Sequence, residues 1–281
     1  MNKILLVDVS SLFHRSYHAL SSNFEAVDLD GNPCTGTFGF FTSLIKTIND
    51  YGPFEKYVFA LDVKGSTDVR KKKSSEYKSN RTTQKEIFYK DIDNLIKNYI
   101  PMLGIQALGL KGYEADDIIA SACKVISTAK EESEVYIISG DSDLELCIEF
   151  FVDSNSKVFF IKTQPELKLL TMADVVEKWG GVEPKDIALI KAIIGDSSDT
   201  IQGIKGYKLQ RALRVYKNEE WLNKPEIAEI IAKNLDIIRL RADLEPIPRK
   251  INLSYENLEK IFLKLESKSL LLRLRRGTLL K

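Results

Sequence analysis

Nine acidic residues fall into five short groups along the chain: Asp8, then Asp62, then Glu114 with Asp116 and Asp117, then Asp141 with Asp143, then Asp196 with Asp199. If the groups converge, they make a site that cannot stay fully charged without help. Two carboxylates about 5 Å apart repel by roughly 3 kcal/mol at an effective dielectric near 20, so a cluster either takes up protons or holds cations. Oxygen donors without His or Cys suit hard ions, meaning Mg²⁺ or Mn²⁺. Two such ions close together activate a water and stabilise the leaving oxygen of a phosphodiester. The acids therefore point to metal-assisted phosphoryl hydrolysis. Taken singly, each group has a plainer reading, because Asp and Glu also favour helix N-termini and cap turns.

Convergence depends on the elements that carry the acids. Residues 4–7, 57–61 and 135–138 are near-continuous apolar, β-rich runs, and each leads into an acid: Asp8, Asp62 and Asp141. Such runs suit strands buried on both faces. Helical patterns lie between them, over residues 38–51, 87–103 and 115–130. This alternation predicts an α/β fold with a mostly parallel central sheet flanked by helices. Ligands of such sheets bind beyond the carboxyl ends of the strands, where the three acids would meet. From about residue 171 the pattern turns helical, over 172–179, 184–194, 208–216 and 227–234. The expected division is an α/β core over residues 1–170, including a basic segment at about 64–90, and a helical region over 171–281. A Pro-rich stretch, 245–248, reads as a rigid connector to the C-terminal tail.

The net charge is only +1, but the basic residues are not evenly spread. Residues 64–85 hold Lys64, Arg70, Lys71, Lys72, Lys73, Lys78, Arg81 and Lys85 against two acids, Asp68 and Glu76. One reading is a solvated loop. The other is a cationic grip for a polyanion beside an anionic metal site, with Tyr77 placed to stack on a base. A second basic stretch, 200–217, holds Lys205, Lys208, Arg211, Arg214 and Lys217 and no acid. Its Gly203-Ile-Lys205-Gly206-Tyr-Lys208 segment reads as a Gly-bearing turn into a helix, whose amides can bind a phosphate. The tail over 268–281 mixes basic residues with leucines and is expected to pack on the core.

Composition excludes several classes. No run of 18 uncharged apolar residues exists, so no membrane-spanning helix and no membrane partner are expected. The short apolar run after Lys3 is not a signal peptide. Three cysteines at unrelated spacings argue against a disulfide framework or a Cys-x-x-Cys zinc site, and for a reducing compartment. The two histidines, His14 and His18, sit in no recognisable zinc or triad motif.

In order and spacing these motifs resemble those of the 5′-nuclease family: bacteriophage 5′ exonucleases, the amino-terminal nuclease domain of bacterial DNA polymerase I, and the related flap endonucleases. The matching segments are Leu-Val-Asp8, Ala-Leu-Asp62, Glu114-Ala-Asp116-Asp117, Ser-Gly-Asp141-Ser-Asp143, and Gly195-Asp196-Ser-Ser-Asp199 running on to Gly203-Ile-Lys-Gly206. The resemblance covers nearly the whole chain. It implies a PIN-like nuclease core with a helix–turn–helix DNA-binding region on its C-terminal side. It also implies that all nine acids hold two Mg²⁺ ions, directly or through water, with Mn²⁺ as a substitute. The segment 70–81 would be a helical arch that threads a single-stranded 5′ end and orders around it. Lys78 would contact the scissile phosphate, with Arg81 and then Arg70 in support; Tyr77, Lys71, Lys72 and Lys73 would touch DNA. Gly203, Lys205, Gly206, Lys208 and Arg211 would grip the duplex backbone, with K⁺ at the turn. The implied activity is 5′-3′ exonuclease and 5′-flap endonuclease action on DNA in replication and repair. Substrates would be 5′ flaps, nicked or gapped duplex and 5′ ends, with RNA primers in hybrids a further target. The protein would act as a monomer in the cytoplasm or another DNA-containing compartment. Two other readings stay open: a catalytically weak, structure-specific DNA-binding protein, and a ribonuclease acting on RNA primers.

Overall fold

The structure is a computed structural model that describes residues 2–162, 167–218, 224–246 and 254–276. Ile247 and Pro248 of the Pro-rich stretch, and 277–281 of the tail, lie outside the described residues. A five-stranded sheet runs in the order β2-β1-β3-β4-β5. Its strands are β1 (Asn2–Asp8), β2 (Lys56–Ala60), β3 (Ser133–Ile138), β4 (Lys157–Lys162) and β5 (Lys168–Thr171). The first four pair in parallel, and β5 closes the edge antiparallel to β4. The sheet is thus mostly parallel and flanked by helices, as the sequence pattern predicts. β4 and β5 are additions to it: the apolar run of β4, Val158 to Ile161, is short and flanked by lysines, and β5 has only two apolar residues, Leu169 and Leu170.

Burial on both faces explains the continuous apolar runs. In β1, Leu5 and Val7 enter one core with Phe40, Phe41 and Leu44 of α2 (Thr35–Tyr51). Ile4 and Leu6 enter the opposite core with Ile118 and Ile119 of α5 (Ala115–Ser127). Alternate residues of one strand therefore anchor two helical layers. α1 (Val9–Leu20) follows β1 without a loop, because Asp8 ends the strand and also caps the helix.

The basic segment is less helical than expected. α3 (Asp68–Lys73) spans six residues, turns follow, and α4 (Glu86–Asn94) begins beyond them, continuing through a π turn, 95–99, and a 3₁₀ turn, 100–103. Beyond β5 lie α6 (Met172–Lys178), α7 (Ile187–Ile194), a two-residue-per-strand hairpin of β6 (Gly195–Asp196) and β7 (Ile201–Gln202), α8 (Leu209–Lys217) and α9 (Pro225–Ile238). α10 (Tyr255–Lys264) and α11 (Lys268–Arg275) return to the first core, burying Leu258, Ile261, Phe262, Leu270 and Leu274 beside Leu5 and Phe41. The described part of the tail is therefore packing.

Candidate metal centre and nucleic-acid cleft

The carboxyl edge of the sheet opens into a cleft of about 830 Å³. Five of the predicted acids line it: Asp8, Asp62, Glu114, Asp116 and Asp141. Asp8 closes β1, Asp62 lies two residues past β2, and Asp141 lies three past β3, so parallel pairing delivers all three to one edge. Glu114 caps α5, and Asp116 sits in its first turn. Ligand oxygens of Asp62, Glu114 and Asp116 lie within 4.8 Å of one another. Lys78, which donates to Glu114, also lines the cleft, as do Asn80, Arg81, Thr82, His14, Phe88 and Tyr89.

Neutral donors hold several of these acids in place. The Ser11 amide and the Ser139 hydroxyl donate to the two oxygens of Asp8, at 2.9 and 2.7 Å. The Ala115 amide donates to Asp62 at 2.8 Å, and the Asp143 amide to Asp141 at 2.9 Å. Such donors orient a carboxylate but do not neutralise it. Burial, then the charge of Asp62, pushes the Asp8 carboxyl up to about 7. Burial, then Asp143, pushes Asp141 up to about 6. Burial also raises Asp62 and, more strongly, Asp116. Asp62 keeps solvent access as a residue, but its carboxyl is raised by burial and then by the charge of Glu114. Glu114 is the exception: against the effect of its burial, Lys78 and Arg70 hold it below the usual range. Five carboxylates thus line the cleft against three permanent cations, Arg15, Lys78 and Arg81. An all-oxygen, charge-deficient set of this kind fits a hard divalent cation.

The other predicted acids are handled differently. Asp143 and Asp196 face a buried ammonium, Lys191 of α7, which donates to Asp143 and lies 3.6 Å from Asp196. Asp199 accepts from the Tyr77 hydroxyl at 3.0 Å, lies 3.6 Å from the Lys78 ammonium and is reached by Arg81 at 3.4 Å. None of the three lines the open cleft. Lys191 was missed in the sequence, although one charge in the run Ile-Ala-Leu-Ile-Lys-Ala-Ile-Ile is a visible signal of a buried, paired lysine.

Three assignments need correction. Asp117 is 1% exposed, and its two oxygens accept four donors: two from Arg70, plus the Glu114 and Arg241 amides. It has no lone pair left for a metal and serves as half of a capping box with Glu114. Arg70 is not free to touch a substrate either. Its guanidinium is buried, donating to Glu114 at 2.7 Å, to Asp117 at 2.8 and 2.6 Å, and to the Ile237 carbonyl at 3.1 Å. Tyr77 is 2% exposed, with its hydroxyl between Glu114 and Asp199, so it cannot stack on a base. Asp117 and Tyr77 lie next to residues of the cleft in the chain, and Arg70 lies in the same basic segment, which is why they looked functional.

The basic segment is also tied to the chain around the β6–β7 hairpin. The Lys78 amide donates to the Asp199 carbonyl, and the Asn80 side chain to the Ser197 carbonyl. Lys78 takes a left-handed backbone at φ 54°, which turns its side chain toward Glu114. Lys71 and Lys72 stay exposed, while Lys73 pairs with Asp236 of α9. On the far side, Gly203 packs so tightly that an added Cβ would lie 1.9 Å from the Ile194 carbonyl oxygen, and Gly206 turns at φ 80°. Lys205, Lys208 and Arg211 are exposed there, with Arg211 stacked over the Tyr207 ring at 4.3 Å.

With this geometry in view, comparisons with known proteins place the chain. A family model described as the 5′-3′ exonuclease N-terminal resolvase-like domain matches residues 3–180. A 5′-3′ exonuclease of Mycoplasmopsis pulmonis is 32% identical over 225 residues, covering 79% of this chain and 68% of that one. The thermostable DNA polymerase I of Thermus aquaticus is 31% identical over 256 residues, covering 87% of this chain; the match spans only 28% of that polymerase's length. Among solved structures, T5 5′-exonuclease with bound zinc shares the fold at a TM-score of 0.66, with 16% identity over 99% of this chain and 98% of that one. The chain belongs to the 5′-3′ exonuclease family.

Proposed function

We propose that the protein is a divalent-metal-dependent 5′-3′ exonuclease and 5′-flap endonuclease that hydrolyses DNA phosphodiester bonds during replication and repair. The observation that carries this reading is the set of oxygens from Asp62, Glu114 and Asp116 within 4.8 Å, in one open cleft that Lys78, bonded to Glu114, and Arg81 also line. Asp8, Asp62, Glu114, Asp116 and Asp141 would hold a first Mg²⁺ or Mn²⁺, directly or through water, and Asp143, Asp196 and Asp199 a second. Bound ions would activate the attacking water and stabilise the leaving oxygen. Lys78 and Arg81 bind and orient the scissile phosphate, Lys78 exchanging its hold on Glu114 for the substrate. The exposed His14 and Tyr89 also line the cleft. Products would be a 5′-phosphate and a 3′-hydroxyl.

Lys205, Lys208 and Arg211 beside the turn at Gly203 and Gly206 would hold the duplex backbone, with K⁺ at the turn, so that the DNA-binding part of residues 171–281 lies ahead of α10. Contacts to backbone make recognition depend on structure, not base identity. The protein would act as a monomer, in the cytoplasm or another DNA-containing compartment, on flaps, nicks, gaps and 5′ ends.

The test is cleavage of a 5′-flap duplex in Mg²⁺ or Mn²⁺ by wild type and Asp141→Ala. Wild-type cutting near the junction, with a variant that binds but does not cut, is expected. Binding without cutting by the wild type would replace the enzyme with a DNA-binding protein. Preference for a matched RNA flap would replace it with a ribonuclease.

A further inference from the structure

Lys191 has an unusual position for a cation. It is 4% exposed, on the helix α7, among Ile187, Ile190, Ala192 and Ile193, all buried. A lysine there is tolerated only if its charge is paired. Its partners come from two separate segments: Asp143 after β3, to which it donates, and Asp196 in the β6–β7 hairpin, at 3.6 Å. The remaining contacts of these acids are one-sided. Asp196 Oδ1 accepts from the Ser198 amide and hydroxyl and the Asp199 amide, which leaves Oδ2 toward Lys191. The ammonium therefore holds two approaching carboxylates together, which is the electrostatic task a divalent cation performs between ligands.

Lys78 bridges Glu114 and Asp199 in a similar way, but it belongs to a loop and lines the open cleft, so it can leave. Lys191 is fixed in the interior of a packed helix and does not line the cleft.

We propose that Lys191 is a built-in counter-ion in the place of the second divalent cation, so that the Asp143, Asp196 and Asp199 group binds its ion weakly and after the first site has filled. This rests on the two-ion reading above and deepens it. The cluster of Asp62, Glu114 and Asp116 loads first; the second ion must share Asp143 and Asp196 with a neighbouring positive charge, and the phosphate of the substrate supplies the missing negative charge. Lys191 is a positioning residue: it acts through the acids and does not touch substrate.

The experiment is Mn²⁺ titration of the DNA-free protein, followed by calorimetry and by the Mn²⁺ paramagnetic resonance signal, for wild type, Lys191→Met and Lys191→Arg. Wild type is expected to show one tighter and one weaker ion. Lys191→Met is expected to tighten the weaker ion at least tenfold and leave the tighter one within about twofold. Lys191→Arg, which keeps the charge, should match wild type. In EDTA the Met variant should melt below wild type, and Mn²⁺ should raise its melting temperature more. Loss of packing alone cannot tighten ion binding. If Met does not fold, Lys191→Gln, which keeps a donor for Asp143, carries the same test. A second ion bound no tighter in the folded uncharged variant overturns the proposal, as does equal tightening in Lys191→Arg. Flap cleavage is scored separately: a wild type that binds ions in this pattern but cuts nothing would overturn the nuclease reading and leave Lys191's role standing.

Discussion

The acids at the sheet edge and the acids near the β6–β7 hairpin are the same side chains under different electrostatic management. Asp8, Asp62, Asp116 and Asp141 are held by amides and hydroxyls or by their neighbours' crowding, without a bonded lysine or arginine among the described residues, and burial raises each of them. Asp143, Asp196 and Asp199 lie against Lys191, Lys78 and Arg81; Asp196 sits below its usual range, burial opposing and Ser198 and Lys191 producing the shift, while burial raises Asp199 against the pull of Lys78 and Arg81. The first group awaits a cation; the second already has one. A carboxylate cluster alone does not measure metal affinity, because cations supplied by the fold compete for the same oxygens.

The largest expected difference between the groups is in turnover. Asp116→Ala should lower flap cleavage by about 10³-fold, equivalent to about 4 kcal/mol of lost transition-state stabilisation, with no recovery as Mn²⁺ is raised. Asp196→Ala should cost about tenfold and recover in part at high Mn²⁺, because Lys191 retains Asp143. Equal, unrecoverable losses from both would erase the distinction.

A smaller effect is expected in stability. Arg70→Ala leaves Glu114 and Asp117 buried without their guanidinium, and removing one partner of a buried ion pair typically costs about 3–5 kcal/mol. Denaturant unfolding measures it. A loss under about 1 kcal/mol would mean that the buried tie from α3 to α5 and α9 contributes little.

The smallest effect is a pH dependence. Carboxyls raised in the folded state bind protons more tightly there than when unfolded, so their contribution favours folding at low pH and is lost as pH climbs through about 6 for Asp141 and about 7 for Asp8. Mg²⁺ replaces those protons. Melting temperatures in EDTA and in Mg²⁺ should therefore separate by a few degrees more at pH 7.5 than at pH 5.5. A constant gap would show that the edge acids do not carry the ion.

Much of the site was legible before any coordinates. Asp8, Asp62 and Asp141 follow runs such as Ile-Leu-Leu-Val, and runs of this kind suit parallel strands covered on both faces, whose carboxyl ends form the ligand edge. Local chemistry was enough there, because strand, cap and acid are contiguous. Tyr77, Arg70 and Asp117 went the other way. Chain neighbourhood suggested DNA or metal contacts, and only packing against residues 37 to 167 positions distant revealed a buried brace. β4 and β5 also went unread: β4 is four apolar residues between two lysines and β5 only two between Lys168 and Thr171, so each gains its identity from its partner strand.

By itself the sequence determined the α/β alternation, the order of the acids and the side of the sheet on which they emerge. Those depend on hydrophobic periodicity and on residues adjacent in the chain. Tertiary structure decided which acids remain short of positive charge and which are already paired with Arg70, Lys78 or Lys191. Pairing is set by distances of a few ångströms between segments far apart in sequence, and Coulomb energy in a partly buried site depends on that separation and on the solvent excluded around it.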